Sequence, residues 1–198
     1  MLGDHLGTAL ARDTKRVRPG TLITCPTYRK PALLAKMAST VDVLSHGRLI
    51  LGIGAGGWNE RQDRAYGYDG ASAPARLRRL REAVQVMLSM WSEEEAEFLG
   101  EYYQVRGAIN QPKGVQTPHI PLLIAGSGEQ VTLKLVAQYA DACHIGGDVA
   151  TIQHKLAILK QHCEAVGRDY ESIHRIASAF CSLGETHEQA MAKIPEWS

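Results

Sequence analysis

Short apolar runs that end in glycine and are followed by a stripe of helical period recur along this chain. Leu49-Ile50-Leu51 runs into Gly52-Ile53-Gly54-Ala55-Gly56-Gly57, Pro121 to Ala125 into Gly126-Ser127-Gly128, and Ala142 to Ile145 into Gly146-Gly147. Runs this short, with no polar alternation, read as strands buried on both faces, and strands that alternate with helices imply a parallel sheet covered by helices. Thr21-Leu22-Ile23-Thr24-Cys25, between Pro19-Gly20 and Pro26, has the same character, and Ile173 to Leu183 gives one more. The expectation is about five parallel strands in an α/β fold.

The helices follow from spacing and from their end signals. The first is expected over residues 4–16, with Leu6, Ala9 and Leu10 on one side. The second starts near Pro31, carries Leu33, Leu34, Met37, Ala38, Val41 and Leu44, and ends at Gly47. Pro74 opens a long helix with Leu77, Leu80, Val84, Met87, Leu88 and Trp91 as its stripe. Ser127 and Gln130 have capping-box spacing before a helix over 129–139, and Gly167 is placed to end the helix that carries Ile152, Leu156, Leu159, Cys163 and Val166. Thr186 with Gln189 starts a last helix. Phe98 to Val105 suggests a hairpin, and 106–121, with three prolines, a long irregular connection. Residues 1–198 are read as one domain, with 58–120 an insertion or cover region.

Composition narrows the function classes. The 22 basic and 21 acidic residues of the 198 leave a net charge of +1, so no nucleic-acid or acidic-lipid partner is demanded. No apolar run approaches the roughly 20 residues of a membrane span, and no signal-peptide core is seen, which gives a cytoplasmic expectation. Cys25, Cys143, Cys163 and Cys181 lie far apart, as buried reduced thiols would, with neither a redox nor a zinc pattern.

In parallel α/β folds the strand-to-helix junctions lie where ligands bind, and glycine lets backbone N–H groups approach an anion there. A phosphate-bearing cofactor is one reading of the three junctions; tight turns alone are the other. Gly52, Gly54 and Gly57 match G-x-G-x-x-G, but the fingerprint needs a helix, a strand and an acidic residue about 20 positions on, and Asp69 stands instead in a Gly-Tyr-Asp-Gly turn. A Rossmann site is therefore set aside. His154, His162 and Cys163 lack a carboxylate that would complete a metal site, and Ser127 lacks the frame of a nucleophile elbow. Glu93-Glu94-Glu95 reads as a solvated stretch, His46 as a helix-end residue, and Arg76, Arg78, Arg79 and Arg81, without interleaved aromatics, as an exposed helix face. His144, near a strand end, is the histidine best placed to face a ligand.

Several blocks in order resemble the luciferase-like monooxygenase family, and within it the group that uses the deazaflavin coenzyme F-420. They are Tyr28 to Lys36, Thr40 to Ser45 with Gly47-Arg48-Leu49, Leu51 to Gly56 with Trp58-Asn59-Glu60, Gly100-Glu101-Tyr102-Tyr103, Pro112-Lys113 with Val115-Gln116, Pro121 to Ile124, and Tyr139-Ala140-Asp141. The resemblance implies a (β/α)8 TIM barrel, here incomplete: the family's first two strands and its last have no counterpart. It implies that Leu22, Ile23 and Thr24 back a flavin or deazaflavin ring, that Gly54, Ala55, Gly56, Gly57, Trp58 and Asn59 line the cofactor, and that Gly126, Ser127 and Gly128 hold its phosphate.

There are departures. Gly56 and Gly57 both precede Trp58 where the family has one glycine, Gly114 replaces a proline, and the histidine often found after the second strand is missing, so no catalytic acid or base is assigned. The function implied is hydride transfer to or from F-420 on a small-molecule substrate; FMN is the alternative cofactor, and an inactive barrel remnant that only assembles is the alternative role. Open sheet edges point to a homo-oligomer.

Overall fold

A computed structural model of the chain describes residues 2–57, 60–68, 70–179 and 181–194. Its centre is a four-stranded parallel sheet in the order β1 (Leu51–Gly54), β4 (Leu122–Ala125), β5 (Ala142–His144) and β6 (His174–Ile176). The pairing runs Gly54 to Ala125, Ala125 to His144 and His144 to Ile176, so these four residues form one row across the sheet. Between β1 and β4 the chain forms α3 (Glu60–Ala65), α4 (Ala73–Ser92) and an antiparallel hairpin of β2 (Ala96–Leu99) and β3 (Gln104–Ala108). Helices α1 (Leu2–Asp13) and α2 (Pro31–Leu44) precede β1, α5 (Thr132–Tyr139) lies between β4 and β5, α6 (Val149–Val166) between β5 and β6, and α7 (His187–Met191) follows β6.

The two faces of the sheet differ. Leu51, Ile53, Leu122, Ile124 and Cys143 join the large apolar core shared with α2, α4, α5 and α6. Strand alternation sends Gly52, Gly54, Leu123, Ala125 and Ala142 to the other face, where side chains are mostly small. Among the described residues no helix is long and apolar enough to cross a membrane.

The expected strand at Thr21 to Cys25 is corrected. This segment meets β1 only through bridges from Gly20 to Ile50 and from Thr24 to Ile53. Four steps on one side against three on the other leave one extra residue, the arithmetic of a bulge. The Thr21 hydroxyl donates to the Gly52 carbonyl at 2.8 Å and accepts from the Gly52 N–H at 3.0 Å, doing part of the ladder's work from a side chain. The Leu22–Ile23 peptide is cis. Leu22 and Ile23 are 59% and 40% exposed, not buried on both faces.

Further differences have local causes. Helix α1 ends at Asp13, short of 16, because Arg48 takes up its terminal carbonyls: Nη2 donates to Ala11 O at 2.7 Å and Thr14 O at 2.8 Å, while Nε donates to Ser45 O. Leu10 is exposed and Ala11 is buried. On α2 the buried face is Pro31, Leu34, Ala35, Ala38, Ser39 and Asp42, whereas Leu33 and Leu44 are exposed. Asp42 is inside because it accepts from Val115 N at 2.7 Å, Gln116 N at 3.1 Å and Gln116 Nε2 at 2.7 Å, which ties the proline-rich connection to the helix. Ser127 does not cap α5: that helix starts at Thr132 after Val131 in helical conformation, with no side-chain cap. The fifth strand shrinks to His174–Ile176, and Cys181 is exposed while the other three thiols are buried. Gly167 does end α6 in the left-handed conformation, and Thr186 does cap α7.

Candidate active site

The carboxyl ends of the parallel strands gather the glycine junctions. Gly52 and Gly54 lie within β1, not in a loop after it. A Cβ on Gly52 would stand 1.9 Å from the Thr21 carbonyl oxygen, and one on Gly54 would stand 2.1 Å from Ile23 Cδ1. Both glycines therefore make room for the bulged segment. This disposes of the dinucleotide fingerprint structurally: its first two glycines serve strand packing, not a phosphate turn. Ile23 lies over the face that carries Gly52, Gly54 and Ala125.

Ala55 is half-buried beyond the strand. Gly56 and Gly57 both adopt positive φ, 72° and 87°. Gly56 lies against Cys25 Sγ, and the Arg76 guanidinium packs under Gly57. Thr24 is buried, with its N–H on Gly52 O and its carbonyl accepting from Gly54 N. Trp58 and Asn59 lie outside the described residues.

After β4, Gly126 has φ 131° and its N–H donates to His144 O at 3.2 Å. Ser127 and Gly128 are exposed, and among the described residues no hydrogen bond engages their N–H groups. Thr132, the first residue of α5, packs beneath both Gly126 and Gly128. After β5, Asp148 caps α6 by accepting from Thr151 N at 2.8 Å, and the Thr151 side chain, with that N–H second, holds its carboxyl below the usual range. The anion logic therefore falls on Ser127 and Gly128, not on Gly147, where a carboxylate already takes the helix end.

His144 is in the inner row with Gly54, Ala125 and Ile176, and its Nε2 pairs with Ser178 Oγ at 2.7 Å. His154 Nε2 meets Glu129 Oε1 at 3.2 Å and His162 Nε2 meets Glu129 O at 2.8 Å, so both tie α6 to the loop before α5. Lys155 Nζ joins the same carboxylate and, as its main cause, holds Glu129 below the ordinary carboxyl range.

The arginine cluster is an exposed face only in part: Arg78 and Arg81 are exposed, whereas Arg76 and Arg79 are half-buried. Arg79 is half-buried with its guanidinium 5.3 Å from the Tyr102 ring centre, and Arg78 donates to Tyr102 Oη at 3.0 Å. The aromatic partner comes from the hairpin, more than 20 positions away, which is why local sequence hid it. Tyr103, whose hydroxyl donates to Pro26 O at 3.3 Å, has its phenol pushed up by burial and was likewise without a local signal.

The family model described as luciferase-like monooxygenase matches residues 5–198. An uncharacterised protein of Mycobacterium tuberculosis is 36% identical over 165 residues, 83% of this chain and 56% of the relative. An F-420-dependent glucose-6-phosphate dehydrogenase of Gordonia bronchialis is 31% identical over 200 residues, 96% of this chain and 56% of the relative. Among solved structures, an F-420-dependent secondary alcohol dehydrogenase in complex with an F-420–acetone adduct superposes with a TM-score of 0.78 at 26% identity, over 88% of this chain and 52% of that one. The chain thus spans about half the length of the curated relatives it matches, and its open parallel sheet is an arc of the TIM-barrel fold of its structural neighbours. Matched by that family model over nearly its whole length, the chain belongs to the luciferase-like monooxygenase family.

Proposed function

We propose that this chain contributes the cofactor-binding part of an oxidoreductase that transfers a hydride to or from the deazaflavin F-420 on a small-molecule substrate. The observation that carries the reading is the pairing of an exposed apolar shelf with an open anion cradle at one end of one sheet. Leu22 and Ile23 form the shelf, and Ser127 and Gly128 offer N–H groups unengaged among the described residues. A flat ring on the shelf and a phosphate at the cradle fit that chemistry, and the relatives named for F-420 favour the deazaflavin.

When bound, the ring supplies the hydride chemistry. The chain's own residues bind and orient. Gly52 and Gly54 let the Ile23 segment lie close on the sheet, Gly56 and Gly57 turn the chain out of β1, and Gly126 with Thr132 shapes the cradle. His144, held by Ser178, is the titratable side chain in the inner row at the strand ends.

FMN is the second reading, favoured by the monooxygenase description of the matched family. Titration of the purified chain with F-420 and with FMN, followed by fluorescence, decides between them. Micromolar binding of F-420 alone is expected. Tighter binding of FMN would replace the cofactor, and binding of neither would overturn the reading in favour of a non-catalytic remnant.

A further inference from the structure

We propose that the cleft between the Pro26–Lys30 loop, α4 and the hairpin turn is an anion-binding subsite that receives the phosphate or carboxylate group of the substrate, resting on the hydride-transfer reading above. The cleft has a volume of about 350 Å³ and is lined by Arg29, Lys30, Arg79, Thr27, Tyr102 and Tyr103, together with Pro26. Among the described residues three cations line it and no carboxylate does; Lys30 and Arg79 carry the proposal, since Arg29 already has an interaction of its own. The chain as a whole is nearly neutral, so this concentration is local and not a consequence of composition.

Glu82, three positions along α4 from Arg79, is committed elsewhere. Glu82 accepts from the backbone N–H groups of Glu101 at 2.9 Å, of Tyr102 at 2.8 Å and of Tyr103 at 3.0 Å, so it builds the hairpin turn that forms one wall. Arg78 points its charge at Glu101, 3.7 Å away, and is exposed, whereas Arg79 is half-buried against Tyr102 and lines the cleft. The Arg79 guanidinium and the Lys30 ammonium, lining one pocket with two phenols, suit an oxyanion better than a neutral ligand.

A second observation places this cleft beside the candidate cofactor loop. Thr27 also lines a neighbouring cleft of about 330 Å³ that is bounded by Gly57, Arg64 and Arg76, with Asp63 as its acid among the described residues. There Arg76 Nε is buried without a hydrogen-bond partner, while Nη1 donates to Ala71 O at 2.6 Å. Asp63 accepts from Tyr28 Oη at 3.4 Å. A buried guanidinium N–H left unpaired costs free energy, and an anionic ligand in the groove would satisfy it. The groove therefore leads from the Gly57 end of β1 outward to Lys30 and Arg79. It is separate from the Ser127–Gly128 cradle, which lies after β4.

The test is calorimetric titration of the full chain with pyrophosphate, as the probe, and separately with F-420. Wild type is expected to bind pyrophosphate, and the double variant Lys30→Gln/Arg79→Gln to bind it at least 10-fold more weakly. Arg106→Gln, which removes an exposed charge from β3, should leave it unchanged, and Arg79→Lys should restore part of the loss. Far-UV circular dichroism of each variant establishes that it is folded, and the Arg79→Lys variant carries the test if the double variant is not. Equal binding in the double variant, or an equal loss in Arg106→Gln, overturns the subsite. F-420 affinity is read independently. Pyrophosphate binding without cofactor binding keeps the subsite and removes the hydride-transfer reading; cofactor binding with no pyrophosphate binding removes the subsite alone. If the double variant weakens F-420 as much as pyrophosphate, the group belongs to the cofactor's chain and the assignment to substrate is overturned.

Discussion

Ile23 Cδ1 occupies the space that a Cβ on Gly54 would need, at 2.1 Å, while the Thr21 carbonyl oxygen stands 1.9 Å from the corresponding point on Gly52. The two obstacles differ in kind. At Gly54 the nearest atom is the end of a side chain that can rotate; at Gly52 it is backbone held in the bulge. Gly54→Ala should therefore cost about 1 kcal/mol and Gly52→Ala about 3 kcal/mol, the two ends of the usual overpacking range. Urea unfolding of both variants checks the order, and equal midpoints would sink the argument.

Asp42 is fully buried and accepts from Val115 N, Gln116 N and Gln116 Nε2. Asp42→Ala takes the acceptor from the Val115 and Gln116 N–H groups, while Gln116 Nε2 keeps Leu49 O, and is expected to cost about 3 kcal/mol, with the 106–121 connection loosened. Asp42→Asn keeps one carbonyl acceptor and should lose less. Hydrogen exchange at Val115 and Gln116, measured beside the unfolding midpoint, separates local loosening from global loss.

Much of the fold was legible because its signals are local. Pro31 and Pro74 open helices, Gly167 and Thr186 cap them, and Leu122 to Ala125 is apolar throughout. What could not be read depends on partners far along the chain. Leu22 and Ile23 look like core residues until the bulge against Gly52 turns them outward. Asp42 interrupts an apolar stripe for the sake of Gln116, 74 positions away. The arginines of α4 meet their aromatic partner only once the hairpin folds back. At the candidate site the glycine junctions were visible, but the roles of Gly52 and Gly54 as spacers were not.

Burial pushes the Cys143 thiol up to about 11. At pH 8 it is almost entirely protonated, so it should resist alkylation in the native state, as should buried Cys25 and Cys163, while exposed Cys181 reacts. Mass spectrometry after brief iodoacetamide treatment should show one modified cysteine. The linkage sign follows from the same shift. The unfolded thiol ionises near its ordinary value of 9.0, before the folded one, so this group's stabilising contribution is complete below pH 9 and is lost as pH rises toward 11. A Cys143→Ala variant should show a flatter stability profile over that window.

Self-association is the last expectation, and it rests on the two edges of the sheet. On one side the Gly20–Thr24 segment meets β1 through two bridges and leaves Leu22 and Ile23 exposed; on the other, β6 is exposed at all three positions, with Ile176 39% accessible. Parallel strands are normally covered at both faces and edges, and an uncovered apolar edge recruits another chain. A second copy is therefore expected to pair with one of these edges, giving a homodimer at about 10 µM and above, a concentration at which interfaces of ordinary strength are populated. Ile176→Lys tests the β6 edge and Leu22→Lys the other, since an inward or edge lysine blocks strand pairing. Sedimentation equilibrium should show one of the two variants as a monomer. A wild-type chain that stays monomeric at about 100 µM would remove the expectation, because an association too weak to appear there is below about 5 kcal/mol.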